Sequence, residues 1–165
     1  MADLTIALAG NPNAGKSTIF NALTGLHQHT GNWPGKTVEK RTGQCRHENL
    51  TIDVVDLPGT YSLSAYSPEE LIARTFLLEE RPDVVINVVD ATNLERNLYL
   101  TVQLLEMGVP TVIALNMTDD LLRQGATIDT QKLAQALQAP VVPTTANRGK
   151  GIQEVLQHAL RLKFA

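Results

Sequence analysis

The stretch "GNPNAGKSTIFNALTG", residues 10–25, constrains the fold more than any other part of this sequence. Gly10, Gly15, Lys16 and Ser17 match the pattern G-x-x-x-x-G-K-[ST], and the apolar run "LTIALA" at 4–9 comes directly before them. Glycines let the backbone turn tightly, so that successive N–H groups point inward at phosphate oxygens, and a following helix adds its positive N-terminal end. The pattern therefore predicts a strand, a phosphate-binding loop (P loop) and a helix, in that order.

Two side chains of this loop have predicted chemical roles. Lys16 is expected to bridge the terminal phosphates of a nucleoside triphosphate, and the Ser17 hydroxyl is expected to ligate Mg²⁺. An ordinary glycine turn is the alternative, but five constrained positions rarely coincide between a strand and a helix. The predicted phosphate-binding residues are Gly10, Asn11, Asn13, Ala14, Gly15, Lys16, Ser17 and Thr18.

Apolar runs alternate with helix-period segments along the rest of the chain. Besides 4–9, strands are predicted at 37–47, 50–56, 83–90, 110–116 and 140–145, and helices at 16–25, 67–80, 93–108, 130–138 and 151–163. Ser67 and Asp129 are predicted helix N-caps. Near-continuous Val, Ile and Leu strands separated by helices indicate an α/β fold. We expect a mostly parallel six-stranded sheet with one antiparallel edge strand, helices on both faces, and a single domain over residues 1–165.

Composition restricts the class of partner and compartment. The formal net charge of -3 argues against a nucleic acid or an anionic membrane surface as the main partner. The single cysteine, Cys45, cannot form an internal disulfide and is expected to be a small packing residue in a reducing compartment. No segment approaches the ~20 apolar residues that span a bilayer, and no signal peptide is evident. The chain as given is expected to be soluble.

Polar residues follow two further strands, where a parallel sheet binds its ligands. In "DLPG", Asp56 is expected to hold Mg²⁺ and the Gly59 N–H to reach the γ-phosphate. In "NMTD", Asn116, Met117 and Asp119 are predicted nucleotide-binding residues. The Asp119 carboxylate can accept N1–H and the 2-amino group of guanine, which adenine does not offer. A helix N-cap is the alternative role for Asp119.

The last predicted strand leads into a third candidate segment, "TTAN" at 144–147. Its Ala146 N–H could be aimed at the guanine O6, with Thr145 and Asn147 beside it. By itself this is a weak signal. Together with the two preceding loops it predicts a binding site for a guanine nucleotide at one edge of the sheet.

These motifs, in this order, resemble the Ras-like GTPase superfamily across essentially the whole chain. The stretches "TGNWPGKTVEKRTG" and "DLPGTYSLSAYSPEE", with "NMTD" in place of N-K-x-D, are similar to the N-terminal G domain of the ferrous iron transport protein B family. The resemblance implies a P-loop GTPase domain that binds GTP with Mg²⁺. It also implies that Thr37 is the Mg²⁺ ligand of the first switch and that Lys16, Asn13, Thr37 and Gly59 take part in hydrolysis.

The sequence allows two roles for the Asn13 side chain. It can be a polar loop residue that tolerates a tight backbone. Because G-x-P-N-x-G-K-S loops resemble those of potassium-activated GTPases, its side-chain oxygen can instead ligate K⁺, with the backbone carbonyls of Gly31 and Trp33 as further ligands. Trp33 is expected to be partly exposed in the first switch.

Two positions depart from the Ras-like pattern. Thr60 stands where Ras-like enzymes place the glutamine that orients the attacking water, so hydrolysis is expected to be slow. Met117 stands where a lysine normally covers the guanine ring, which removes a cation–π contribution of ~0.5–2 kcal/mol. We therefore expect loose nucleotide binding and some binding of ATP.

In the resembled family the G domain is followed by a helical domain and a membrane-embedded iron permease, both expected to be absent from this chain. The resemblance implies a place on the cytoplasmic face of the bacterial inner membrane and a role in regulating or powering ferrous iron uptake. Two alternatives stay open: a soluble potassium-activated GTPase of ribosome assembly or tRNA modification, and a module that switches by occupancy and scarcely hydrolyses. A homo-oligomer also stays open. His27 and His29 are interpreted as solvated loop residues rather than metal ligands.

Overall fold

A computed structural model describes residues 1–164. It contains one seven-stranded sheet with helices on both faces and two short 3-10 turns, at Ala91–Asn93 and Ala146–Arg148. The strands are β1 (Leu4–Gly10), β2 (Gln28–Asn32), β3 (Glu39–His47), β4 (Leu50–Asp56), β5 (Val84–Asp90), β6 (Thr111–Asn116) and β7 (Val141–Pro143). The helices are α1 (Lys16–Thr24), α2 (Pro68–Glu79), α3 (Leu94–Glu106), α4 (Thr118–Arg123), α5 (Thr130–Leu137) and α6 (Ile152–Phe164).

The sheet order is β2-β3-β4-β1-β5-β6-β7, and the five strands from β4 to β7 run parallel. Strand β3 is antiparallel to both of its neighbours. The predicted α/β fold with a mostly parallel sheet is confirmed. Because the parallel strands end at the same edge, Gly10, Asp56 and Asn116 all lie there, which is where the sequence placed its candidate site.

Helices cover both faces of the sheet, because the parallel strands are apolar on both sides. One core cluster joins the sheet to α1 and α6 through side chains such as Phe20 and Leu156. A second cluster joins the other face to α2 and α3 through side chains such as Phe76 and Leu100. Burying a large apolar side chain in this way contributes about 1.5–3 kcal/mol. The two layers fix the strands whose ends carry the candidate site.

The predicted caps of two helices are present. The Ser67 Oγ accepts a hydrogen bond from the Glu70 N–H at 3.1 Å at the start of α2. The Asp129 Oδ1 accepts one from the Lys132 N–H at 3.1 Å at the start of α5. Each such cap satisfies a helical N–H that has no partner within its own helix.

Strand β2 was not predicted, and it brings the strand count to seven rather than six. Its sequence, "QHTGN", has no apolar alternation, and four of its five residues are exposed. The strand exists because its backbone pairs with β3, from Gln28 opposite Gly43 to Asn32 opposite Glu39. His29 therefore lies in a strand, not in a loop, and β3 begins at Glu39 rather than at residue 37.

The expectation that Trp33 is partly exposed is wrong, since only 7% of its surface is accessible. Its ring packs edge-on against Phe76 of α2, with 5.8 Å between ring centroids, and the Lys40 Nζ lies 4.7 Å from the centre of the same ring. The partner ring is 43 positions further along the chain, so the sequence around Trp33 did not reveal this apolar contact.

Among residues 1–164, no helix is long and apolar enough to cross a membrane.

Candidate functional site

The P loop has the conformation that its glycines were expected to permit. Strand β1 ends at Gly10, and α1 begins at Lys16, directly after Gly15. A Cβ on Gly10 would lie 2.7 Å from the Val88 carbonyl oxygen, so only glycine lets β1 approach β5 here. Gly15 has a φ of +99°, and a Cβ there would lie 2.1 Å from the Asn116 Nδ2. Both glycines are therefore required by the local packing.

The loop surrounds a cavity of about 520 Å³ at the carboxyl edge of the sheet. Most residues that line it were predicted phosphate-binding or hydrolytic residues. The lining consists of Asn11, Pro12, Asn13, Gly15, Lys16, Ser17, Thr18, Gly59 and Met117. Gly10 and Ala14 belong to the same loop but contribute no lining surface, and the Ala14 N–H donates to the Asn11 carbonyl at 3.2 Å. The cavity is the place where the sequence expects phosphates.

The Asn11 side chain supplies an independent sign of a polar ligand. The residue is 4% exposed, and neither its Nδ2 nor its Oδ1 has a hydrogen-bond partner within the described chain. A buried polar group without a partner costs about 1–3 kcal/mol. Binding of a ligand that supplies the missing hydrogen-bond partner is therefore favoured here. The Asn11 Nδ2 can donate to a phosphate oxygen, so this side chain fits a nucleotide phosphate.

Lys16 lines this cavity and contacts Asp56, which lies 40 positions further along the chain. The Lys16 Nζ donates to the Asp56 Oδ1, and both side chains are largely buried. Arg41 links the Ser17 hydroxyl to the same carboxylate, since its Nη1 is 3.4 Å from the Ser17 Oγ and 3.9 Å from the Asp56 Oδ2. A hydroxyl and a carboxylate oxygen are hard donors of the type that Mg²⁺ prefers, so the residues fit that ion.

The loop after β4 docks against the P loop. A Cβ on Gly59 would lie 3.2 Å from the Pro12 Cα, so the glycine lets the two backbones approach closely. The Thr60 N–H donates to the Gly10 carbonyl at 3.0 Å, and Thr60 is buried. Gly59 thus lines the phosphate cavity, whereas the short Thr60 side chain is enclosed. Thr60 therefore differs from the Ras-like glutamine in its placement as well as in its chemistry, because its side chain is buried and does not line the cavity.

At the other end of the site, Asn116 connects three loops. Its Nδ2 donates to the Ala14 carbonyl of the P loop at 3.0 Å. Its Oδ1 accepts from the Thr144 Oγ1 and from the Ala146 N–H, both at 3.0 Å. The side chain is 3% exposed. Asn116 therefore holds the phosphate loop and the loop after β7 together, a role that the sequence analysis did not assign.

The Ala146 N–H was expected to face the guanine O6. In the structure it donates to the Asn116 Oδ1, so a base oxygen would have to share or replace this bond. Thr145 is buried, its N–H donates to the Lys150 carbonyl at 3.0 Å, and its hydroxyl lies 3.3 Å from that of Thr118. Asn147 follows in the 3-10 turn, and its side chain is exposed. The O6 contact stays a prediction.

Asp119 lies in the first turn of α4 and pairs with Arg123, with 3.0 Å between its Oδ2 and the Arg123 Nη2. Partial burial acts to raise the pKa of Asp119, but the hydrogen bonds from Arg123 and from nearby backbone N–H groups outweigh it and lower the pKa. The group is therefore held as a carboxylate, the form that accepts two hydrogen bonds from guanine. Met117, with a φ of +63°, lines the phosphate cavity beside Gly15.

Two parts of the predicted site lie outside the lining of the phosphate cavity. The base-binding residues Asp119 and Thr145 line a second cavity of about 530 Å³, and the first switch lines neither. Thr37 lies in an exposed bend and is not among the lining residues. Gly31 is exposed in β2 opposite Lys40, and the Trp33 carbonyl accepts the Lys36 N–H at 2.9 Å. Asn13 does line the cavity, and its φ of +66° is one that asparagine tolerates. Asn13 is therefore placed both as a loop residue that tolerates a tight backbone and as a side chain that can ligate K⁺.

Arg41 is a site residue that the sequence analysis missed. It pairs directly opposite Asp56 in the β3–β4 ladder and reaches Ser17 on α1. The signal, a basic residue facing an acidic one across a hairpin, depends on the strand register, which the sequence did not fix. Among residues 1–164, no three His, Cys, Asp or Glu side chains come together to hold a metal ion.

Comparisons with known proteins agree with this geometry. The family model "Ferrous iron transport protein B" matches residues 4–159. A Fe(2+) transport protein A/Fe(2+) transporter FeoB fusion protein of Porphyromonas gingivalis is 56% identical over 153 residues, which is 92% of this chain and 18% of that protein. The Fe(2+) transporter FeoB of Salmonella typhimurium is 52% identical over 157 residues, 93% of this chain and 20% of that protein.

A solved structure is similar as well. The crystal structure of a glutamate-to-alanine mutant of S. thermophilus NFeoB bound to GDP superposes with a TM-score of 0.92 at 51% identity, covering 97% of this chain and 63% of that chain. The present chain thus spans about a fifth of the length of the two transporters and about two thirds of the length of this GDP-bound protein.

Proposed function

This chain belongs to the ferrous iron transport protein B family, as its N-terminal G domain, and we propose that it binds and slowly hydrolyses GTP. Family membership separates it from the soluble assembly GTPases that share its P loop. One observation carries the proposal: Lys16 and Ser17 at the start of α1 line the phosphate cavity, and Lys16 pairs there with Asp56 at the end of β4. The GDP bound to the S. thermophilus protein supports the same nucleotide class.

Each residue at the cavity would contact a different part of the nucleotide or its metal ion. Lys16 would move from Asp56 to the terminal phosphates, where its charge is needed, and the inward N–H groups of the P loop would hold the remaining oxygens. Ser17 and Asp56 would hold Mg²⁺, which when bound supplies positive charge to the phosphates. The Gly59 N–H would donate to the γ-phosphate. Thr37 would join the site only if the first switch closes over it.

Hydrolysis needs positive charge between the β- and γ-phosphates, and neither a water-orienting glutamine nor an arginine is supplied at Thr60. The proposed source is K⁺ held by the Asn13 side chain, which lies at the cavity. Gly31 and Trp33 lie outside the cavity lining, so their carbonyls can contribute only after the first switch moves. Without this contribution the expected turnover is slow.

We place this domain on the cytoplasmic face of a bacterial inner membrane, attached to helical and iron-permease domains whose transport it regulates or powers. The support is the length of the relatives, which are Fe(2+) transporters about five times longer than the matched region. The same proposal takes residues 1–165 as one GTP-binding domain and leaves room for a homo-oligomer.

The base specificity gives the sharpest test. Asp119→Asn should weaken GTP binding by at least about tenfold, because the amide oxygen can accept only one of the two hydrogen bonds and the amide NH2 then faces a donor of guanine. It should bind xanthosine triphosphate better, since an amide can donate to the 2-oxo group. Competition titrations with GTP, ATP and XTP measure both effects, and the wild type should also bind ATP, more weakly than GTP.

Asp120→Asn is the matched control. Asp120 also pairs with Arg123, with 2.6 Å between its Oδ1 and the Arg123 Nη2, but it has no predicted contact with the base. This variant should keep the wild-type preference for GTP. An Asp119→Asn protein that still preferred GTP over XTP would contradict the proposed guanine contact.

A further inference from the structure

Arg41 contacts both residues that the proposed function assigns to Mg²⁺. Its Nη1 lies 3.4 Å from the Ser17 Oγ and 3.9 Å from the Asp56 Oδ2. The pairing of β3 with β4 places Arg41 directly opposite Asp56, and β3 therefore aims the guanidinium at the end of β4. The chain's own cation and the proposed metal ion would share the same two oxygen donors.

The guanidinium is held in this position by α1. The Arg41 Nη2 donates to the Asn21 Oδ1 at 2.9 Å, and the guanidinium carbon lies 4.9 Å from the centre of the Phe20 ring. A cation above an aromatic face is attracted to it, and the planar fork of arginine loses little freedom when it forms such bonds. With 23% of its side chain exposed, Arg41 is partly enclosed rather than free at the surface.

The carboxylate that it approaches is already engaged on its other oxygen. Lys16 donates to the Asp56 Oδ1, while Arg41 lies near the Oδ2. When Lys16 turns to the phosphates, Arg41 is the positive charge that stays next to Asp56. Two cations within a few ångströms of each other repel, most strongly where water is partly excluded.

We propose that Arg41 competes with Mg²⁺ for Ser17 and Asp56, and so sets the Mg²⁺ concentration at which the domain retains its nucleotide. This inference rests on the proposed nucleotide site. Arg41 acts as a positioning residue here: it determines how readily the two ligands are released to the metal and does not touch the nucleotide itself. Removing its charge should make Mg²⁺ bind more tightly.

The test is the release of a fluorescent GDP analogue from the purified chain in buffers of fixed free Mg²⁺. Arg41→Gln should lower the Mg²⁺ concentration that gives half-maximal retention by about two- to fivefold, the range of a partly exposed ion pair. Arg41→Lys, which keeps the charge, should stay closer to the wild type. Arg46→Gln is the matched control, because Arg46 lies on the same strand with an exposed side chain, and its midpoint should not move.

An unchanged or higher Mg²⁺ midpoint in Arg41→Gln would overturn the inference while leaving the nucleotide site intact. If Arg41→Gln fails to fold, Arg41→Met replaces it, since its long apolar stem can still pack on Phe20, and the same downward shift is expected. A wild type whose GDP release does not depend on Mg²⁺ would instead contradict the assignment of Ser17 and Asp56. The two failures are therefore distinguishable.

Discussion

Replacing Asn116 with alanine should separate the loops that form the nucleotide site. The side chain is buried and makes three hydrogen bonds of 3.0 Å, to the Ala14 carbonyl, the Thr144 hydroxyl and the Ala146 N–H. A hydrogen bond contributes about 0.5–1.5 kcal/mol net, and a buried group left without a partner costs about 1–3 kcal/mol. Asn116→Ala should therefore reduce the free energy of unfolding by about 2–4 kcal/mol.

Thr144→Val is the matched control, because it keeps the shape of a fully buried side chain and removes only the bond to the Asn116 Oδ1. Its expected cost is about 1 kcal/mol. Urea unfolding without nucleotide measures both values, provided that the slope against urea concentration is unchanged. A domain of ordinary stability, about 5–15 kcal/mol, stays folded in both variants.

The two variants should differ clearly if Asn116 joins the loops. If the loss for Asn116→Ala is no larger than the loss for Thr144→Val, Asn116 does not join the loops, because the bonds to Ala14 and Ala146 would then contribute nothing measurable. A change in the urea slope of Asn116→Ala alone would show that the comparison has to be made by thermal unfolding instead.

Three further predictions concern other groups. Asn13→Ala should lower GTP turnover in KCl by about tenfold or more while leaving GTP affinity nearly unchanged, and equal wild-type rates in matched KCl and NaCl would remove the cation role. Burial acts to raise the pKa of Asp83, but the hydrogen bond from Lys163 at 2.8 Å and that from the Thr5 N–H at 2.7 Å lower it. The stabilisation from Asp83 is then present above the usual carboxyl pKa and is lost as the pH falls through the lowered pKa. The free energy of unfolding of Asp83→Asn should therefore fall less than that of the wild type between about pH 7 and about pH 3. Parallel curves of unfolding free energy against pH would contradict this. Burial raises the pKa of the Cys45 thiol, so alkylation by iodoacetamide at about pH 8 should be slower than that of free cysteine, and an equal rate would contradict it.

The parts of the fold that the sequence predicted are those specified by local pattern. Runs such as "DVVINVVD" and caps such as Ser67 identify their elements from neighbouring residues alone. Strand β2 has no such pattern, because its backbone pairing with β3 is what orders it. Trp33 was misjudged for a related reason, since its apolar partner Phe76 lies on a different element.

The site shows the same division. Gly15, Lys16 and Ser17 are adjacent in the sequence, so a local motif predicts the phosphate loop. The structure places all three residues at the cavity. The bonds of Asn116 span 28 to 102 positions, and the approach of Arg41 to Asp56 depends on the register of β3 against β4. These contacts follow from packing between elements, which a single sequence does not specify.

If the P loop binds and hydrolyses GTP, the purified chain should release phosphate from GTP in the presence of Mg²⁺ and KCl. The wild type should release phosphate slowly, and Lys16→Ala should release it at least about a hundredfold more slowly still, because the charge against the terminal phosphates is gone. Lys132→Ala, which removes an exposed lysine from α5, should release phosphate at the wild-type rate. No release by the wild type, or equal release by the wild type and Lys16→Ala, would mean that the P loop does not hydrolyse GTP.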